Sequence, residues 1–220
     1  AIQDQRACTL VFNQTLERSH YLGASFDTAI DRAPMPLVIR GEFLYQIDAH
    51  VPVIDRNKLA IGDLAGGLYP EKTDIFKYVL GFDFTFFRNL LVSPQLIQFY
   101  DLDFIDEQSG CGNNPNCGRY TGDAPTLNTS NNLNKGDQLQ TFISLFFSKP
   151  FGAEQQHRWN DIIIAHSQGG YWNRFDVEYQ FHDNLIGSAA LNYYWGDEDS
   201  LFGQLQPSSN AQVSIKWLFQ

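Results

Sequence analysis

Ser167, flanked by His166 and followed further along by His182, offers a nucleophile and two candidate bases. The segment "IIIAHSQGG" (162–170) sets Ala165, His166, Ser167, Gln168 and Gly169 where a lipase nucleophile elbow carries G-x-S-x-G. The chemistry would be acyl transfer, and it requires a sharp strand-to-helix turn that lifts the hydroxyl above a parallel sheet. The residues downstream refuse that turn. In "YWNRFDVEYQFHD", Tyr171, Asn173, Phe175, Val177, Tyr179 and Phe181 alternate with Trp172, Arg174, Asp176, Glu178, Gln180 and His182, which is the period of a strand. Neighbours on a strand point to opposite faces, so Ser167 and His166 are badly placed to pair, and His182 falls at the far end of the strand. The segment therefore reads as a strand-to-strand turn in which Gly169 and Gly170 supply positive φ, and no enzyme is expected.

Two other groups could bear chemistry. Cys111 and Cys117 bracket "CGNNPNC", a turn-rich loop suited to a disulfide in an oxidising compartment, with Cys8 left unpaired or joined to another chain. The alternative is a metal site, but no partner cysteine or histidine pair of zinc-type spacing lies nearby. Asp101, Asp103, Asp106 and Glu107, and then Asp197, Glu198 and Asp199, provide oxygen ligands that could bridge lipopolysaccharide phosphates through divalent cations. They lack the regular spacing of a dedicated calcium loop, and neither a metal site nor a cofactor is assigned.

These groups must be positioned by a chain with 15% aromatic and 18% charged residues, rich in β-branched types and poor in helical signals. Its net charge of −10 opposes a nucleic-acid partner, since phosphate contacts need a basic surface. No apolar stretch approaches the roughly 20 residues of a membrane helix. Nothing reads as an interdomain linker, so residues 1–220 are expected to form one domain. Ala1 opens on no cleavable signal peptide, as in a mature form or a fragment.

The alternation recurs along the chain. Leu37, Ile39, Phe43, Tyr45 and Ile47 oppose Arg40, Glu42, Gln46 and Asp48; Phe76, Tyr78, Leu80, Phe82, Phe84 and Phe86 oppose Lys77, Gly81, Asp83 and Thr85. Ala211, Val213, Ile215, Trp217 and Phe219 oppose Asn210, Gln212, Ser214, Lys216 and Leu218. Further strands are expected at about 20–31, 90–104, 137–150, 157–168 and 184–196, with a weaker one near 7–14. Strands of about 9–11 residues with one apolar, aromatic-rich face match a tilted transmembrane strand. A soluble sandwich or lipocalin-like barrel alternates too, but bulky aromatics on every inward position would overfill a small barrel. Counted back from the end of the chain, the long segments 49–72, 105–136 and 197–208 fall on one side with the short turn 168–170. The segments 31–36, 87–90, 150–157 and 182–184 fall on the other. That asymmetry is typical of outer-membrane barrels. The last strand, ending in Phe219 and Gln220, resembles the signal read by the barrel insertion machinery, and Tyr193, Tyr194, Trp195, Phe86, Phe87, Phe147, Phe151 and Phe181 would form aromatic girdles. The expected fold is an all-β, antiparallel, up-and-down transmembrane β-barrel with about ten strands in this chain, located in the bacterial outer membrane among its lipid and lipopolysaccharide.

The run "WGDEDSLFGQLQPSSNAQVSIKWLF", together with "LVIRGEFLYQ" and "KYVLGFDFTFF", resembles a poorly characterised group of porin-like Gram-negative outer-membrane barrels, often encoded near efflux-type transporters. The resemblance covers most of residues 20–219. Members of that group are longer, which implies that this chain is the C-terminal part of a larger barrel or a shortened relative. The group has no established catalytic residues to carry over.

The expected function is a channel or transporter for small or amphipathic solutes. Arg40, Glu42, Asp48, Lys77, Asp83, Arg174, Asp176, Glu178 and Lys216 are the candidate lumen residues, each equally readable as part of a structural ion pair. The alternative is an interaction barrel that presents its long loops to a protein partner or self-associates. Such a partner would be betrayed by an apolar strip on the polar face, for which Leu91, Ser93, Gln95, Ile97 and Phe99, with Ile162 and Ile164, are the candidates. The parity of 157–168 stays open, because Ile162, Ile163 and Ile164 occupy both faces.

Overall fold

The computed structural model describes residues 16–31, 36–107, 117–123 and 133–219. The candidate strand near 7–14, Cys8 and Cys111 lie outside them, and with Cys111 the expected Cys111–Cys117 bridge. The described chain forms one antiparallel sheet of ten strands. They are β1 (His20–Ile30), β2 (Leu37–Asp55), β3 (Leu68–Phe86), β4 (Leu90–Asp101), β5 (Arg119–Thr121), β6 (Leu139–Phe151), β7 (His157–His166), β8 (Tyr171–His182), β9 (Leu185–Trp195) and β10 (Asn210–Trp217). Nine of them pair in sequence order from β1 to β10, and β5 stands aside, pairing only with the far end of β2. Among the described residues no helix is long and apolar enough to cross a membrane, which says nothing of strands.

The segment 49–72, read from sequence as a loop, is strand at both ends, over 49–55 and 68–72. β2 and β3 each run for 19 residues and pair beyond a bulge between Gln46 and Ala49, where Asp48 takes φ 55°. Sequence alternation breaks at that bulge, which is why the ladder beyond it was not legible as strand. The true connection is 56–67, two short helices, the first capped by Asp55 Oδ1, which accepts from the backbone N–H groups of Asn57 and Lys58. Gly169 and Gly170 do take positive φ, 90° and 87°, in the β7–β8 turn. In the β3–β4 turn the same region is imposed on Phe87 and Arg88, at φ 44° and 68°, costing about 1–2 kcal/mol apiece.

The register sorts the sheet into two faces. Arg40, Gly81, Gln95, Ser144, Ile164, Trp172 and Tyr194 form one cross-strand row, while Phe43 and Tyr78 sit in a row of the opposite face. Burial then runs opposite to that of a water-soluble protein. Short polar side chains of the first face are covered, with Ser93 at 1%, Ser144 at 2% and Asn192 at 8% exposure, whereas Ile143, Leu191 and Val213 on the second are 60%, 57% and 82% exposed. Of the buried apolar side chains, Phe142 lies on the first face and the others gather elsewhere. Ala49, Val53, Ile54 and Tyr120 form a small core where β5 pads the ends of β2 and β3. Both outermost strands, β1 and β10, are exposed throughout.

Ahead of β1, Glu17 meets Lys72 Nζ at 3.2 Å and His50 Nε2 at 3.4 Å, above the bulge. The Lys72 hydrogen bond and charge, with the charge of His50, hold the Glu17 carboxyl below its ordinary value. A depressed carboxyl contributes attachment that is present above its ordinary value and lost as pH falls through the lowered one. Residues 16–19 are therefore expected to stay docked at pH 5 and to detach in stronger acid. Amide exchange at Glu17 and Arg18 followed across that range checks it: release already at pH 5 would contradict the pairing.

Candidate functional site

Eight of the nine candidate lumen residues share the polar face. Asp27 opposes Arg40, Arg40 opposes Gly81, Glu42 opposes Val79, and Leu44 opposes Lys77, so Arg40, Glu42, Lys77 and Asp83 stand on consecutive rows of β2 and β3. Asn160 opposes Asp176 and Arg158 opposes Glu178, while Arg174 opposes Asn192 and Lys216 opposes Ile186, which carries the face across β7 to β10. The ninth, Asp48, sits in the bulge; its N–H donates to Asp74 Oδ1 at 3.2 Å and its carbonyl accepts from Ser19 at 3.3 Å.

Specific hydrogen bonds hold these charges. Arg40 Nη2 reaches Asp83 Oδ1 at 2.9 Å, and the Ser93 hydroxyl donates to the same oxygen at 2.6 Å. Lys77 Nζ donates to Gln46 Oε1 at 2.8 Å and lies 5.4 Å from the Phe99 ring centroid. Asp176 accepts from Asn160 Nδ2 at 2.9 Å and is 3.6 Å from Arg174 Nε. Glu42, Glu178 and Lys216 enter no such ion pair among the described residues. Sequence reading passed over Asn160 and Asn192, because a short uncharged side chain carries no mark of its face until the register is known.

The same register resolves the isoleucine run: Ile162 and Ile164 point to the polar face and Ile163 to the other. Where an apolar strip was expected, Ile97 shares its row with Phe142 and Phe146 with Ile162, but the row between them pairs Gln95 with Ser144 and interrupts it. Tyr194 is not part of a girdle on the apolar face; it stacks on Trp172 across the polar face at 6.2 Å. Tyr171, Tyr193 and Trp195 do cluster at one end of the apolar face, and Phe151, His157, Tyr179 and Phe181 at the other. From Tyr171 to Phe181 the strand rises roughly 33 Å between these two aromatic clusters.

The long connections bend over the polar face at one end. Phe202, from 196–209, contacts Phe142 edge-on at 6.4 Å centroid separation, and Asn134 Nδ2 reaches Asp199 at 3.2 Å. Beneath them His166, 7% exposed, stacks on Phe142 at 4.3 Å, with neither ring nitrogen hydrogen-bonded. Thr121, Gly122, Gly136 and Asp137 form a partly open cavity of about 140 Å³ over Ile75, Lys77, Phe99 and Gln140. "IIIAHSQGG" is the end of β7 and the turn that leads into β8, with Ser167 ahead of the first residue of β8 and His182 as its last, at the opposite end.

The acidic residues singled out from sequence are mostly engaged. Asp101 accepts from Thr73 Oγ1, Asp103 from the Asp74 N–H at 3.1 Å, Asp106 pairs with Lys135, and Glu107 meets Arg56 at 3.0 Å. Among the described residues no group of three or more His, Cys, Asp or Glu side chains is arranged to hold a metal. No family model, curated protein or solved structure matches the chain.

Proposed function

We propose that the chain is the wall of an outer-membrane β-barrel of the porin-like group it resembles, with its apolar face in lipid and its polar face lining a passage for small or amphipathic solutes. One observation carries the reading: the sheet exposes its large apolar side chains and covers its short polar ones. In water such a face is a liability, since contiguous apolar patches on soluble monomers rarely exceed a few hundred Å²; in lipid it is the required surface. The pairs Arg40–Asp83 and Arg174–Asp176 put charges of both signs on that polar face. The Cys111–Cys117 disulfide, at the long-loop end, belongs to the same proposal.

Planar-bilayer recordings of the purified chain test permeation. Stable unitary steps are expected, and Lys77→Glu or Arg174→Glu should raise the cation-to-anion permeability ratio about two- to tenfold, because each reverses a charge where the low-dielectric wall focuses its field. A heat-modifiable barrel without conductance would retire the permeation reading.

A second reading, an interaction barrel, is favoured by one feature. Asp161 lies on the apolar face, opposite Phe147 and Phe175, and accepts from Asn173 Nδ2 at 2.6 Å. A carboxylate in lipid is costly, and cover by a protein partner or a second copy would relieve it.

A further inference from the structure

The cavity beneath the long connections is too specific in its lining for an unselective passage. Its volume of about 140 Å³ is close to that which accepts a benzene-sized guest. One wall is apolar, formed by Val51, Ile75 and Phe99, and the rest carries Lys77, Asp101 and Asp137. Lys77 is held by Gln46 and the Phe99 ring, not by a carboxylate, so its ammonium keeps donors for a guest. The carboxylate of Asp101 is oriented by the Thr73 hydroxyl and by the Asp103 N–H at 3.1 Å. A guest matching this lining carries an anionic group for Lys77, a cationic group for the two aspartates and a small apolar body.

We propose that this cavity is a binding site for small zwitterionic solutes of the α-amino-acid class, with Lys77 for the carboxylate and the lining aspartates Asp101 and Asp137 for the ammonium. The proposal rests on the reading of the polar face as a lumen, and deepens it by naming a solute class. A guest with only one of the two charges would leave the opposite charge of the cavity unpaired, which is how such a site would discriminate.

Isothermal titration of the detergent-solubilised chain with L-valine, isobutylamine and isovalerate tests it, the latter two lacking the carboxylate and the amine in turn. Valine is expected to bind, with each analogue at least about tenfold weaker, or about 1.4 kcal/mol. Lys77→Met should bring valine to the affinity of isobutylamine, and Asp137→Asn should weaken it toward that of isovalerate, with heat-modifiability showing that both variants fold. Absence of valine binding, equal binding of isovalerate, or an unchanged affinity in Lys77→Met would overturn the site. Conductance without valine binding overturns this inference and leaves permeation standing; valine binding without conductance supports the site while removing the channel.

Discussion

Leu191→Arg is expected to destabilise the inserted protein by about 2–4 kcal/mol, the cost of a cationic side chain near the middle of a lipid-facing band. Leu191 is 57% exposed, in the middle of β9 on the row that joins Phe147, Asp161, Phe175 and Ala211. If that face met water, the substitution would sit within about 0.5 kcal/mol of neutral and would improve solubility. The two environments thus predict opposite results for a single residue. Urea unfolding from lipid vesicles, with Ser188→Arg on the polar face as the companion variant, separates them. Ser188 neighbours Ser214 at 2.8 Å on the face assigned to the lumen, and its replacement should cost far less. Equal, small effects at both positions would sink the membrane reading.

Tyr120→Ala is expected to dissolve the cap without touching the wall. Tyr120 is fully buried; its hydroxyl donates to the Leu133 carbonyl at 2.6 Å and accepts from Arg56 Nε at 3.4 Å, while the guanidinium lies 4.9 Å from the ring centroid. Removing a buried aromatic ring costs about 3–5 kcal/mol. This core consists of Ala49, Val53, Ile54 and Tyr120, so the loss takes its largest apolar anchor and leaves β5 on β2 through the backbone ladder and the Arg119–Glu71 pair at 2.6 Å. Hydrogen exchange should show lost protection at 119–122 and 53–55, with β6 to β9 unchanged. Uniform loss across the sheet would show that the cap and the wall fold as one unit instead of as separable layers.

How much of this was legible in the residues follows from what alternation can and cannot encode. The aromatic series Phe76 to Phe86 placed β3, and the polar partners Arg40, Glu42, Lys77 and Asp83 fell on one face as their parity required. Parity fails where the ladder slips, and so the bulge at Asp48 hid the outer lengths of β2 and β3. Parity is also mute where both faces carry the same residue type, as in Ile162, Ile163 and Ile164, and there only the pairing with β6 and β8 decides. Tyr194 shows the converse error, an aromatic at a strand end taken for a girdle residue when its neighbours Tyr193 and Trp195 alone have that parity. The cavity was invisible for another reason. Its floor comes from β3, β4 and β6 and its roof from 121–122 and 136–137, and long-range closure of that kind leaves no local periodicity.

The strand order carries a constraint of direction. Nine strands, each antiparallel to the last, reverse the chain eight times between β1 and β10, so these two edges point the same way. Joined to each other they would have to pair in parallel. A second copy placed by rotation about the membrane normal would offer the same mismatch at both seams. Any cylinder closed wholly by antiparallel pairing must therefore insert an odd number of further strands between these edges, and its total comes out even, as in bacterial single-chain barrels.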